Sequence, residues 1–196
     1  MLPAVVVAAK TTSDATECSP FPPDPNSTAS TINTVAREIA EAGGRATALS
    51  VDVRDFTSVQ KLVEATIATY GRLDVLVYNS GAIWWSSVAK TPMKRFQLMQ
   101  QVNPEGLYGC VQACLPHLCK SGKGRVVVVS PPIYSRFFRG KTAYAMGKVG
   151  MSVLTIGLSM DWKREGRDGT SISSIWPAAV CIPLPQCYQE LAKCIV

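Results

Sequence analysis

Charge is scarce in this chain: only 17% of its 196 residues are Asp, Glu, Lys or Arg, against 47% hydrophobic. That balance supplies one buried core and not two, so a single domain is expected over residues 1–196. Long apolar runs are missing as well. None approaches the roughly 20 residues that a membrane-spanning helix needs, and the run Ala4 to Ala9 has neither the basic start nor the length of a secretory signal. The expectation is a soluble intracellular chain with no membrane partner. An even cysteine framework is lacking too: Cys18, Cys110, Cys114, Cys119, Cys181, Cys187 and Cys194 are odd in number and scattered, which suits reduced thiols. Cys114 and Cys119 do not share a helix face, so Cys110, Cys114, His117 and Cys119 are not expected to hold a metal. The formal charge of +6 comes without a run of Lys and Arg or interleaved aromatics. It therefore argues for an anionic cofactor rather than nucleic acid. There is no internal repeat and no domain linker.

What is present alternates between two patterns. Val5 to Ala9 is continuously apolar, as in a strand buried on both faces of a parallel sheet. Residues 11–30 are rich in Ser, Thr and Asp, and Pro20, Pro22, Pro23 and Pro25 interrupt regular structure, so a long loop is expected there. Ile32, Val35, Ala36, Ile39 and Ala40 repeat at helical spacing and stop at Gly43-Gly44. Ala46 to Val53 reads as a second strand. Thr57 and Gln60 have capping-box spacing before a helix that ends at Gly71. Leu73 to Tyr78 is a third strand, and a helical stretch from about Pro92 to Leu118 should kink at Pro104, which cannot donate to the carbonyl of Gln100. Arg125 to Ser130, Lys141 to about Trp162, and Ser171 to Trp176 give strand, helix and strand. Strands separated by helices of this length predict right-handed crossovers and a doubly wound α/β sheet, a Rossmann-like three-layer sandwich.

Four short segments are more specific than that pattern. Asn79-Ser80-Gly81-Ala82 follows a strand, Asn103 lies in a long helix, Ser130 ends a strand, and Tyr144-Ala145-Met146-Gly147-Lys148 opens the next helix. In order and approximate spacing they resemble the short-chain dehydrogenase/reductase family, over roughly residues 4 to 177. The resemblance implies an NAD(P)-dependent oxidoreductase acting on a hydroxyl or carbonyl of a hydrophobic small molecule.

Tyr144 and Lys148 stand four apart, so both project from one helix face. A phenol with an ordinary pKa near 10 is a poor acid at neutral pH, and an ammonium beside it is expected to favour the phenolate. By resemblance Tyr144 exchanges the proton with the substrate oxygen and Lys148 also holds the nicotinamide ribose. Asn103 would hold a water linking Lys148 to solvent, beside a carbonyl freed by Pro104. The family's substrate-orienting hydroxyl falls at Pro131, leaving Ser130 or Ser135 to replace it. For the cofactor, the resemblance points to Asp52 and Val53 near the adenine, Asn79 and Gly81 along the adenosine side, Pro177 after the last strand, and Lys10 after the first. A cation at that strand end favours NADP, with NAD the alternative.

Two departures from the family stand out. The first strand and its glycine-rich turn, which carries the pyrophosphate on backbone amides, have no counterpart before Val5, and Ala179 to Val196 is short for the usual ending. The chain thus reads as a truncated member. In the order 3-2-1-4-5-6 the absent strand is central, so the strands near residues 5–10 and 74–79 must meet or leave a slot about 10 Å wide. Two other readings stay open: a non-catalytic member acting as a binding or dimerisation partner, and a scaffold for cofactor-free proton chemistry. The family's dimer surface corresponds to helices 92–118 and 141–162, so a homodimer is expected. Relatives are often peroxisomal, but Cys194-Ile195-Val196 is not a Ser-Lys-Leu-type tail, which leaves cytoplasm or peroxisome. Trp84-Trp85 are placed to wall a substrate cleft or to form an interface patch.

Overall fold

The computed structural model describes residues 4–10, 31–130 and 138–177; the expected loop at 11–30, Pro131, Ser135 and the chain after Pro177 lie outside them. The described residues form five strands: β1 (Ala4–Ala9), β2 (Arg45–Ser50), β3 (Val75–Tyr78), β4 (Arg125–Val129) and β5 (Ser171–Ile175). Every ladder is parallel, as the crossover pattern requires. They form two groups, β1 with β2 and β3-β4-β5, with Ala4 opposite Arg45, Val75 opposite Arg125 and Arg125 opposite Ser171.

No ladder joins β1 to β3, so the two strands do not close on each other. The side chains register this. Val75 and Val77 are 49% and 55% exposed, values foreign to an inner strand, and Val5 is 39% exposed. The expectation that β1 is buried on both faces is therefore corrected: Val7 alone of its residues is buried. A strand with a neighbour on one side only cannot bury its whole apolar run.

The first two helices begin and end where local chemistry satisfies their terminal amides and carbonyls. Thr31 caps α1 (Ile32–Glu41), its Oγ1 accepting from Thr34 N at 3.1 Å. Gly43, with φ 82°, makes the left-handed exit. For α2 (Phe56–Tyr70) the cap is Asp55, whose Oδ1 accepts from Thr57 N at 2.9 Å, so the helix begins ahead of the expected Thr57 cap. It ends at Gly71 in the left-handed region. Next come α3 (Met93–Gln100), a π turn (Gln101–Glu105), α4 (Gly106–Ser121) and α5 (Thr142–Arg164). No helix among the described residues is long and apolar enough to cross a membrane.

The core lies where α2, α4 and α5 cover the strands, with Val59, Val63, Leu107, Leu118, Val126, Val128, Met151 and Trp162 buried together. Cys110 and Cys114 belong to it, and burial pushes both thiols up to about 12. They are unbridged and protonated at neutral pH, packing as small apolar groups. Among the described residues no group of His, Cys, Asp and Glu stands together as a metal site would.

Where the sequence predicts a kink at Pro104, the chain widens by one residue per turn instead. The Gly106 N–H reaches back to Gln101 O, which frees the Val102 carbonyl from the helical ladder. Tyr78 at the end of β3 takes it, its hydroxyl donating to Val102 O at 2.5 Å. A Cβ at Gly106 would lie 2.5 Å from that hydroxyl, so the position admits only glycine without a shift. Tyr78→Phe leaves the carbonyl without its donor, and a loss of about 1–3 kcal/mol in urea denaturation is expected. An unchanged midpoint would show that the π turn does not depend on the phenol.

Candidate active site

Because all strands run parallel within their ladders, the residues following them collect at carboxyl ends, where open α/β sheets bind ligands. Lys10 follows β1, Asp52 and Val53 follow β2, Asn79 and Gly81 follow β3, Ser130 follows β4 and Pro177 follows β5. Val53 packs toward the start of α4, its Cγ2 lying 3.1 Å from where a Cβ of Gly106 would stand. Pro177 is exposed.

Asn103 is fully buried in the π turn and clamps the turn after β3. Its Nδ2 donates to Ala82 O at 3.1 Å and its Oδ1 accepts from Ala82 N at 2.8 Å. Both ends of the amide are thus satisfied by one residue's backbone. A methyl group added at Gly81 would stand 3.6 Å from Asn103 Oδ1 and 3.7 Å from Lys148 Nζ. The Asn79-Gly81 turn, Asn103 and Lys148, distant in sequence, therefore meet at one place.

Two glycines bring α5 there. Cβ atoms at Gly147 and Gly150 would each lie 3.3 Å from the Pro104 ring, so the bare helix face settles on the π turn. Gln100 Nε2 donates to Ala143 O at 3.2 Å and ties α3 to the first turn of α5. Lys148 is 6% exposed, and its Nζ donates to Val129 O at 2.9 Å. Burial brings its pKa down from 10.5 to about 8.

Tyr144 lies one helical turn before Lys148. The expected acidification of its phenol is corrected here. Burial pushes Tyr144 up to about 12, and the ammonium, held by the Val129 carbonyl, does not overcome that cost. Both groups pay for leaving water, so the pair favours neutral phenol and a readily deprotonated amine. Ser130 also differs from its expected role. Its Oγ donates to Lys148 O at 3.2 Å and shares a 2.8 Å hydrogen bond with Ser152 Oγ, and it is 2% exposed. It faces the interior and fastens the end of β4 to α5 rather than presenting a hydroxyl to a ligand.

On the other ladder Lys10 and Asp52 come together, Nζ to Oδ2 at 3.4 Å. Asp52 also takes a two-pronged contact from Arg54, Nε to Oδ1 at 2.8 Å and Nη2 to Oδ2 at 2.5 Å. The Arg54 side chain, chiefly, holds the Asp52 carboxyl well below the usual carboxylate range. Sequence reasoning passed over Arg54; its place two residues after Asp52, just past a strand, was the available signal. Beyond Ala82, the Trp84 ring lies under Arg95, Cζ 4.7 Å from its centroid, and the Trp85 ring under Lys141, Nζ at 4.1 Å. A separate hollow of about 380 Å³ lies against Leu115, Leu158, Trp162 and Arg167, at the opposite end of α5 from Tyr144.

A family model described as short chain dehydrogenase matches residues 26–186. Proteins called hydroxysteroid dehydrogenase-like protein 2 are similar: that of Xenopus tropicalis is 37% identical over 175 residues, 88% of this chain and 39% of the relative. The Homo sapiens protein is 37% identical over 149 residues, 75% of this chain and 35% of the relative. The chain thus spans under two fifths to about two fifths of these relatives' length. Among solved structures, a dehydrogenase from Xanthomonas campestris aligns with TM-score 0.80 and 35% identity, covering 96% of this chain and 65% of that one. A short chain dehydrogenase from Mycobacterium thermoresistibile aligns with TM-score 0.76 and 31% identity, covering 95% and 62%. The two ladders accordingly belong to one Rossmann-like α/β arrangement.

The buried amine sets a pH dependence. Between pH 8 and 10 the unfolded chain keeps the Lys148 proton while the folded chain gives it up, so this group's contribution to stability rises with pH. Cys110 and Cys114 act oppositely, because their folded values lie above their ordinary ones. Comparison with Lys148→Met cancels the thiols: wild type is expected to gain on the order of 2 kcal/mol relative to the variant across that window. Parallel stability curves would mean that Lys148 is not desolvated.

Proposed function

The chain belongs to the short-chain dehydrogenase/reductase family, and from that premise we propose that it exchanges a hydride and a proton at a hydroxyl or carbonyl of an apolar small molecule, with NADP preferred over NAD. The observation that carries this reading is the convergence of Gly81, Asn103 and Lys148, one helical turn from Tyr144. A fold needs no such meeting of a polar amide, an amine and a phenol at the carboxyl ends of its strands. Proton chemistry does.

The residues present fit a dinucleotide on two sides. Lys10 and Arg54 around Asp52 offer cations and a carboxylate at the ends of β1 and β2, suited to ribose hydroxyls and a further phosphate. A Cβ at Gly81 would stand in van der Waals contact with Lys148 Nζ, so the turn lies directly beside the amine that would hold a ribose. A bound nicotinamide supplies or accepts the hydride. Tyr144 holds the proton at its hydroxyl; burial keeps it there, and giving it to a carbonyl oxygen requires the Lys148 ammonium to turn toward the phenol and acidify it. Lys148, near neutrality at about 8, replaces that proton after reorienting from Val129 O. Asn103 acts as a positioning residue, keeping the Gly81 turn over Lys148 through Ala82.

A second copy of the chain is the proposed partner. Tyr108 on α4 and Met146, Val153, Ile156 and Met160 on α5 are 56–67% exposed large apolar side chains, and those of α5 follow helical spacing. Val153→Asp combined with Ile156→Asp is expected to shift the chain from dimer to monomer in sedimentation. A wild-type monomer at the same concentration would remove this face as the dimer surface.

Calorimetric titration tests the enzymatic reading. NADPH is expected to bind more tightly than NADH, Lys10→Ala to erase most of the difference, and Tyr144→Phe to keep the affinity while losing turnover followed by nicotinamide absorbance. Absence of binding at millimolar NADPH removes the reading, because the hydride then has no source.

A further inference from the structure

The far end of α5 borders a hollow that the hydride and proton chemistry does not use. Its volume is about 380 Å³, and it opens where the last turns of α4 and α5 come together. From Tyr144 to Asp161, which lines it, α5 runs about 25 Å along its axis, so the two places are separate. With about 30 Å³ for each water-sized group, the hollow admits on the order of a dozen non-hydrogen atoms. Its inner lining is apolar: Trp162 is 3% exposed, and Leu115 and Leu158 stand beside it. All three belong to the core cluster or pack against it, so this wall is fixed before any ligand arrives.

Charge is distributed unevenly over the same lining. Asp161, Glu165 and Arg167 are its charged members. The Arg167 guanidinium is taken by Glu165, Nε to Oε2 at 2.5 Å. Asp161 has no such partner: among the described residues no Lys or Arg nitrogen lies within ion-pair distance of it, although Lys163 and Arg164 follow in the same turn. Lys163 lines a neighbouring hollow of about 180 Å³ instead. The larger hollow thus carries an unpaired carboxylate in a chain whose formal charge is +6.

The backbone adds to that negative potential. Asp161 lies in the last turn of α5, and Cys119, also on the lining, in the last turn of α4. Carbonyls there lack intrahelical donors and carry partial negative charge, which favours cations. The rim holds its shape by itself, since Arg167 N donates to Trp162 O and Glu165 N to Asp161 O, each at 2.9 Å. A preformed site loses little freedom on binding.

We propose that this hollow is a second ligand site, one that takes a small organic cation, its apolar body against Leu158 and Trp162 and its ammonium met by Asp161. The site goes beyond the oxidoreductase reading and does not depend on it.

Calorimetric titration of the full chain with tryptamine, tryptophol and indole-3-propionate tests it, because the compounds share an indole body and differ in charge. Tryptamine is expected to bind about ten-fold more tightly than tryptophol at low salt, with the propionate weakest. That advantage should shrink at about 0.5 M NaCl. Asp161→Asn should bring tryptamine to within about two-fold of tryptophol and leave tryptophol unchanged, while Asp161→Glu keeps most of the preference. Cys119 reports occupancy from the lining itself: saturating tryptamine should slow its alkylation by iodoacetamide several-fold, followed peptide by peptide in mass spectrometry. Equal affinity for the three compounds, no tryptamine binding at millimolar concentration, or binding that leaves Cys119 alkylation unchanged overturns the inference. Loss of NADPH binding in the wild-type chain would sink only the oxidoreductase reading and leave this site standing.

Discussion

The buried amide of Asn103 is the contact on which the site depends. A side-chain amide without access to water must satisfy both its donor and its acceptor, and Asn103 does so on the backbone of Ala82. That requirement fixes the turn after β3 against the long helix. It holds only because the helix is widened at Pro104, because Tyr78 accepts the disturbance by donating to Val102 O, and because Gly106 leaves room for the phenol. Gly147 and Gly150 then let α5 rest on the Pro104 ring and deliver Lys148 beneath the turn. Removing any one support loosens the others, since a partly satisfied buried network costs more than none.

Burial governs the chemistry of the pair as firmly as it governs position. Sequence spacing alone suggests an amine that acidifies a phenol one helical turn away. In the folded chain both groups are withdrawn from water, and the amine gives its hydrogen bond to Val129 O. The neutral states of both gain in consequence. A phenol that keeps its proton and an amine that parts with one readily form a relay whose direction is set by desolvation, and charge attraction becomes important only when Lys148 turns toward Tyr144.

The split sheet shapes the molecule's outline. Two parallel ladders stand on a shared layer formed by α2 and α4, and the core passes beneath the break without interruption, since Ala8 of β1 and Tyr78 of β3 pack against the same cluster. Helix-to-helix packing thus keeps the two sets of strand ends in one arrangement although no backbone hydrogen bond links β1 to β3. The exposure of Val75 and Val77 is the thermodynamic consequence of that break.

Much of this was legible in the residues themselves. Apolar runs, helical periodicity and glycine exits located every described strand and α-helix to within a few residues, because those signals are local. The order Asn79, Asn103, Ser130, Tyr144 and Lys148 pointed to one family for the same reason. Ser130 shows where legibility ends: a serine closing a strand reads alike whether it meets a ligand or Ser152, and only packing turned it inward. Arg54 was easily passed over because an arginine two residues after a carboxylate reads as a solvated surface residue until the fold brings the two side chains together. The sequence by itself determined the elements, their parallel order and the identity of the chemical groups, since backbone preference and hydrophobic period act over a few residues. Tertiary structure alone decided which groups are dry, which way Lys148 points and where the sheet breaks, because desolvation and long-range hydrogen bonding exist only once distant segments have met.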